Sequence, residues 1–143
     1  MLRRILINNI NEKKNNIAPF QVAVAFQAHD VTRAATAHPH LAVQADATFR
    51  VVPRLFQQML VVFLSENGCL LPAFFILMTR RSRELYDAVF QQVAATLGRP
   101  VRHFMSDWEA ALAGAAQAVW PAAHISGCWF HFAQAVLRKV IDC

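Results

Sequence analysis

Several features common in secreted proteins, membrane proteins and well-known hydrolases are missing from this sequence of 143 residues. It has three cysteines, an odd number that does not suggest a disulfide framework. Its main apolar runs, QMLVVFL and CLLPAFFILM, are separated by SENG and are shorter than a membrane span, which favours buried strands. The apolar stretch at the basic N-terminus is too short for a signal peptide. No glycine-rich phosphate loop, G-x-S-x-G turn or H-E-x-x-H helix is present, so hydrolases of those types have no support.

The composition that remains indicates one packed domain with a basic surface. Hydrophobic residues make up 56% of the chain and charged residues only 16%, so most of it is expected to be packed rather than disordered. There are 14 Lys and Arg against 9 Asp and Glu, which gives a formal net charge of +5. That excess permits a nucleic-acid partner without requiring one.

Residues 1–40 are the least interpretable part of the chain. The Asn-rich, polar composition of residues 1–16 predicts a loose tail or linker. Residues 17–40 read as a strand and a short helix that HPH then breaks. We therefore treat 1–40 as a poorly defined N-terminal segment and 41–143 as the folded domain.

From residue 41 the pattern predicts three strands joined by short links. The first covers about 42–52 and ends at Pro53, the second covers 59–64, and the third covers 69–78. Asn67-Gly68 between the last two is a strong hairpin signal. Pro72 in the third strand implies an edge or a bulge. Together these strands predict an antiparallel meander.

The apolar period then becomes helical. Ser82 is a candidate N-cap, Gly98 and Pro100 close the helix, Arg83 and Asp87 pair along it, and the buried stripe consists of Leu85, Val89, Val93 and Leu97. VRHFMS predicts a strand and AHISG a shorter one, and each is followed by a helix, the last being WFHFAQAVLRKVI. The predicted order is β-β-β-α-β-α-β-α, a mixed α/β sheet in which a helical crossover makes the fourth strand parallel to its neighbour.

Two carboxylates are the main candidates for chemistry. Asp46 lies in the first strand of the meander and Asp107 directly follows the fourth strand, so the two face one another if these strands are adjacent. Paired carboxylates suit Mg²⁺, and two such ions can activate a nucleophile and stabilise the leaving oxygen in phosphodiester chemistry. A structural alternative exists for each acid: Asp46 on a solvated face, and Asp107 in the first turn of a helix, where the dipole favours it.

Three further residues have both a structural and a functional interpretation. SDWE resembles a capping box in which Ser106 caps the helix and Glu109 reaches back, so Glu109 is expected to be structural. Cys128 and His131 are spaced to share one metal ion such as zinc, but a closed zinc site needs four ligands and no second matching pair exists. A buried thiol beside a satisfied histidine is the simpler interpretation.

The strings DATFRVVPRLFQQMLVVF, PAFFILM and FMSDWEAALAGAAQAVWPAAHISGCWFHFAQAVLRKV closely resemble the core of Mutator-like element (MULE) transposases. The resemblance covers about residues 46–140 and rests on the combination D-x-T-F, S/T-D-x-E and G-C-x-F-H-F-x-Q. It implies a ribonuclease H-like fold of the DDE class in which Asp46 and Asp107 are catalytic metal ligands. Cys128 and His131 match the cysteine-histidine motif of the family.

The resemblance also implies two Mg²⁺ or Mn²⁺ ions, DNA as substrate and target, a nuclear location and a possible homo-oligomer. Its third carboxylate, a glutamate, lies beyond the cysteine-histidine segment and has no counterpart before Cys143. We therefore expect a partial, C-terminally truncated catalytic domain that is inactive by itself. Two rival hypotheses remain: a domesticated, non-catalytic DNA-binding or regulatory protein, and a ribonuclease H-like nuclease outside transposition.

Overall fold

The computed structural model describes residues 2–8, 21–37, 41–66 and 68–141, without the side chains of residues 2, 8 and 66. These residues form a single mixed sheet with helices in the connections. The elements are β1 (Leu2–Asn8), β2 (Val22–Ala28), α1 (His29–Thr36), β3 (Leu41–Thr48), β4 (Gln58–Glu66), β5 (Cys69–Met78), α2 (Arg83–Leu97), β6 (Val101–Ser106), α3 (Ala110–Val119), β7 (His124–Gly127) and α4 (Trp129–Ile141). The strand order across the sheet is β1-β2-β5-β4-β3-β6-β7. The predicted mixed α/β class is confirmed.

The predicted antiparallel meander is formed by β3, β4 and β5. β3 ends at Thr48, before the predicted end near residue 52, because its pairing with β4 ends there, opposite Met59. Gly68 has a φ of 79°, a positive value that tight turns require and that glycine adopts without steric cost. Asn67 lies outside the described residues. Pro72 adjoins an irregularity in the β4–β5 register, as expected for a proline inside a strand, and β2 pairs with β5 only from Phe74 onward.

Helix α2 forms where the sequence predicts it and for the predicted reasons. The Ser82 hydroxyl accepts a hydrogen bond from the Leu85 N–H at 3.2 Å, which satisfies a backbone donor at the helix start. Gly98 ends the helix in the left-handed conformation, with φ of 62°. Arg83 and Asp87 form the predicted pair at 2.9 Å.

The hydrophobic core lies between one face of the sheet and helices α2 and α3. Alternate residues of β3, β4 and β5 are buried on this face, and the whole apolar stripe of α2 packs against them. The centre is aromatic: the Phe90 ring lies 5.4 Å from the Phe104 ring and 5.5 Å from the Trp120 ring, measured between centroids. These contacts join α2 to β6 and to the end of α3.

The N-terminal segment is more ordered than its composition indicates. Residues 2–8, assigned above to a loose tail, form edge strand β1 and pair antiparallel with β2. The tail prediction is wrong for these residues, because strand pairing and the burial of Ile7 supply order that a polar composition does not reveal. β2 and α1 confirm the predicted strand and short helix, while HPH lies outside the described residues. The domain boundary at residue 40 stays a prediction.

Strands β3, β6 and β7, which are neighbours on one side of the sheet, run parallel. β6 pairs with β3 on one side and with β7 on the other, so the carboxyl ends of all three meet at one end of the sheet. The connection from β5 through α2 to β6 is the predicted helical crossover. Helix α4 then follows β7, and none of its described side chains is buried. No described helix is long and apolar enough to cross a membrane.

Candidate functional site

Asp46 lies in β3 and Asp107 directly follows β6, and these two strands are adjacent and parallel, which is the condition under which the sequence predicts that the acids face one another. The β3–β6 pairing places Gln44 opposite Met105. Continuing this register by two residues brings Asp46 opposite Asp107. Both positions alternate with the buried residues of their strands, so they belong to the face of the sheet that points away from the core. The carboxyl ends of β3 and β6 therefore bring the two acids to one place.

Asp46 is partly solvated and has two polar neighbours. Its side chain is 46% exposed, and its Oδ1 accepts a hydrogen bond from the Ala47 N–H at 3.0 Å. The Nε2 of His131, at the start of α4, lies 3.6 Å from the same oxygen. Asp46 therefore does lie on a solvated face of the sheet, as one of the two interpretations expects, and the free-energy cost of burying its carboxylate is small. Solvation also leaves the carboxylate accessible to a ligand.

Asp107 is oriented by its own loop. Its Oδ1 accepts a hydrogen bond from the Glu109 N–H at 3.2 Å, and the residue is half-buried. It stands ahead of α3, which begins at Ala110, rather than in the first turn of that helix. The dipole explanation for an acid at this position is correspondingly weaker, since the effect is concentrated in the first turn.

The predicted capping box is wrong. Ser106 is the buried last residue of β6, and its hydroxyl donates to the Asp107 carbonyl instead of capping α3. Its own carbonyl accepts the Cys128 N–H at 2.6 Å, which ties it to the end of β7. These strand contacts hold Ser106 in the sheet, so the helix starts three residues later than a capping box requires, with Glu109 at its N-cap.

Glu109 is structural, but through partners that the sequence did not indicate. Arg81 donates a hydrogen bond to its Oε2 at 2.7 Å, and the Tyr86 hydroxyl lies 3.3 Å from the same oxygen. The Glu109 side chain is only 15% exposed. The Glu109 carboxylate raises the pKa of the Arg81 guanidinium, chiefly through their hydrogen bond. With one oxygen engaged by two donors, Glu109 is poorly suited to serve as a third metal ligand beside Asp107.

The network continues into the core through a buried amide. Gln58 is fully buried and donates from Nε2 to the Tyr86 hydroxyl at 2.7 Å. Burial is the main reason why the pKa of Tyr86 rises to about 12. Arg81 and Tyr86 were missed as site residues, because a charge in a basic cluster and an aromatic in a helical stripe both look ordinary in sequence. Their importance follows from contacts with a residue more than twenty positions away.

The structure separates the roles of Cys128 and His131. The Cys128 backbone contacts β6, whereas the His131 ring contacts Asp46. His131 Nδ1 is buried and has no hydrogen-bond partner within the described part of the chain. No group of three or more His, Cys, Asp or Glu side chains in residues 2–8, 21–37, 41–66 and 68–141 is arranged to hold a metal ion. Of the predicted site residues, the described contacts join only His131 and Asp46 directly.

A basic cleft lies at the same end of the sheet as the acids. It has a volume of about 480 Å³ and is formed where β5 ends and β4 begins, with Arg54 and Arg80 in its lining. β4 is antiparallel to β3, so its first residues lie beside the last residues of β3. Arg81, next along the chain, also stacks over the Phe49 ring at 5.0 Å. Three arginines therefore lie at the end of the sheet where β3 ends.

Comparison with known proteins identifies a family for most of the chain. A family model described as the MULE transposase domain matches residues 42–135, more than half of the chain, and this span includes both acids and the cysteine-histidine motif. No curated protein and no solved structure matches the chain.

Proposed function

The chain belongs to the MULE transposase domain family, and from that premise we propose a ribonuclease H-like catalytic domain, derived from a DNA transposase, in which Asp46 and Asp107 bind Mg²⁺ or Mn²⁺. The observation that carries the proposal is the parallel pairing of β3 with β6, whose register, continued by two residues beyond Gln44 and Met105, brings Asp46 opposite Asp107 at the carboxyl ends of the two strands. DNA is the proposed substrate and the nucleus the proposed location.

The residues present fit such an ion. Mg²⁺ prefers oxygen ligands, keeps several waters and is commonly bound by one or two carboxylates together with substrate phosphates. Asp46 is partly open to solvent, and the carboxylate of Asp107 is oriented by a backbone N–H. When bound, the metal would polarise a phosphate and lower the pKa of an attacking water or hydroxyl.

The surrounding side chains then have distinct parts in binding and orientation. The Glu109 backbone orients Asp107, while Arg81 and Tyr86 hold the Glu109 side chain in place. His131 stands beside Asp46, where its protonated form would partly balance the carboxylate charge. Arg54 and Arg80 are placed to contact the phosphate backbone of a bound strand.

Metal binding tests this proposal directly. In the full chain, we expect Asp46→Asn and Asp107→Asn each to weaken Mn²⁺ binding about tenfold or more, measured from free Mn²⁺ by electron paramagnetic resonance. Asp30→Asn is the matched control, because Asp30 lies on α1 at the opposite end of the sheet. Unchanged Mn²⁺ binding in the Asp46→Asn/Asp107→Asn double variant would refute the assigned site.

Nicking of supercoiled DNA tests the catalytic part separately. The described residues contain no group of three or more potential metal ligands, and the Glu109 side chain is bound by Arg81. We therefore expect the 143-residue chain to bind the metal but to nick DNA only at a trace level. Robust Mn²⁺-dependent nicking that disappears in Asp46→Asn would show that the two acids suffice and that the expected inactivity is wrong.

A non-catalytic DNA-binding protein is the second candidate, favoured by the basic cleft and the net charge of +5. It predicts DNA binding in EDTA that weakens steeply with salt, as counterion release requires. Arg54→Ala and Arg80→Ala would weaken this binding, while Asp46→Asn would leave it unchanged or slightly tighter. The metal and nicking assays separate this candidate from the first.

A further inference from the structure

Trp108 is an exposed tryptophan in a well-defined position. It stands between Asp107 and Glu109, and 68% of its surface is open to solvent. The indole nevertheless packs against the end of β7: a Cβ added at Gly127 would lie 2.1 Å from Cε2 and 2.3 Å from Cζ2. Only glycine leaves room for the ring there. Trp120, by contrast, is 5% exposed and belongs to the aromatic core.

The backbone on both sides of Trp108 is held. The Asp107 carboxylate accepts the Glu109 N–H, and Arg81 fixes the Glu109 side chain. Gly127 is paired with Ser106 in the β6–β7 ladder. The ring is therefore presented at a fixed place beside a proposed metal ligand. Such an arrangement lowers the entropy cost of binding a flat partner.

The residues around Trp108 indicate what kind of ligand its ring would contact. A nucleic-acid strand bound at the acids would present phosphates to the arginines and bases to any aromatic surface nearby. An unpaired base has a free π-face that stacks on an aromatic ring, whereas most bases inside a duplex have both faces occupied by neighbouring bases. We propose that Trp108 is a stacking platform for an unpaired base of the DNA strand held at Asp46 and Asp107, an inference that rests on the proposed function.

The test compares two DNA probes bound by the full chain with Ca²⁺ in place of Mg²⁺, because Ca²⁺ is also bound by carboxylate and phosphate oxygens while its looser coordination supports little cleavage. One probe is a blunt duplex, and the other is the same duplex with a short single-stranded 3′ overhang containing 2-aminopurine. We expect the wild type to prefer the overhang and to quench the 2-aminopurine fluorescence. Trp108→Ala should lower that preference about 5- to 150-fold, the range for loss of one stacked base, and abolish the quenching. Trp108→Phe should retain most of both, and Leu137→Ala, an exposed apolar residue farther along α4, should change neither.

Gly127→Ala provides a second variant that leaves Trp108 in the sequence. Its added methyl group would displace the indole, so a comparable loss of overhang preference is expected. Gly114→Ala is the matched control, because its Cβ would meet only the mobile end of the Arg83 guanidinium, at 2.6 Å. Circular dichroism of each variant verifies that the fold is kept.

Three results would overturn the platform. Unchanged overhang preference in both Trp108→Ala and Gly127→Ala refutes it while leaving the metal site standing. A change only in self-association, measured by sedimentation, identifies the ring as a protein contact instead. If neither probe binds, both the stacking role of Trp108 and DNA as the substrate are refuted. The metal site is tested independently by the Mn²⁺-binding assay.

Discussion

Helices α2 and α4 both carry apolar residues at helical spacing, yet they meet different surroundings in the described part of the chain. Six residues of α2 are buried, and none of α4 is. α2 crosses the sheet between β5 and β6 and has a full layer beneath it, whereas α4 follows β7 at the sheet edge and touches β3 through the His131–Asp46 contact. An apolar stripe in the sequence therefore identifies the face that a helix can bury. Whether another part of the chain covers that face depends on the topology.

The largest expected effect comes from removing an aromatic ring of α2. Phe90 is fully buried between Phe104 and Trp120, so Phe90→Ala should leave a cavity and lower the free energy of unfolding by about 3–5 kcal/mol. Phe90→Leu fills more of the space and should cost clearly less. Urea unfolding followed by circular dichroism measures both. Equal, small losses for the two variants would mean that α2 is less tightly packed than its contacts indicate.

The polar side of α2 should contribute next. Tyr86→Phe deprives the buried Gln58 amide of its hydroxyl partner, and we expect a loss of about 1–3 kcal/mol at neutral pH. Because the folded pKa is raised to about 12 from the ordinary value of 10.0, folding favours the neutral phenol. Its contribution is complete below pH 10 and is lost as pH rises toward 12.

The stability gap between wild type and Tyr86→Phe should therefore narrow over that pH interval. Chemical denaturation at a series of alkaline pH values measures the gap, and groups common to both proteins cancel in the difference. A gap that stays constant or widens would mean that ionisation of Tyr86 does not oppose folding.

Much of the fold can be predicted from local sequence patterns, whereas the site can be predicted from them only in part. The caps of α2, the three meander strands and the crossover follow from neighbouring residues, and the crossover brings Asp46 and Asp107 onto adjacent strands. The beginning of α3 did not follow, because the Ser106 carbonyl is engaged by a residue more than twenty positions later. Edge strand β1 was missed for a similar reason, since its order comes from pairing with β2.

The ion pair between Arg81, which lies just before α2, and Glu109 is of this long-range kind. A double-mutant cycle on Arg81→Ala and Glu109→Ala should give a coupling of about 1 kcal/mol, since the acid is shielded although the arginine is 45% exposed. The Arg83–Asp87 pair is the matched control at similar distance, and as an exposed i,i+4 pair it should give about 0.3–0.5 kcal/mol. Weaker Mn²⁺ binding in Glu109→Ala than in Asp87→Ala would further show that the Arg81–Glu109 pair positions Asp107. Equal coupling energies for the Arg81–Glu109 and Arg83–Asp87 pairs would mean that the Arg81–Glu109 pair has no special role.

Substitutions on α4 are expected to change the free energy of unfolding least. They also give the strictest test of the contrast with α2. Phe130 and Leu137 are 63% and 59% exposed, so replacing both with alanine should change the free energy of unfolding by less than about 0.5 kcal/mol. Alanine also favours helix, which offsets any small loss of contact. A loss above about 2 kcal/mol would show that the stripe of α4 is buried in solution as that of α2 is. If that loss depended on protein concentration, the cover would come from a second copy of the chain, because only association responds to concentration.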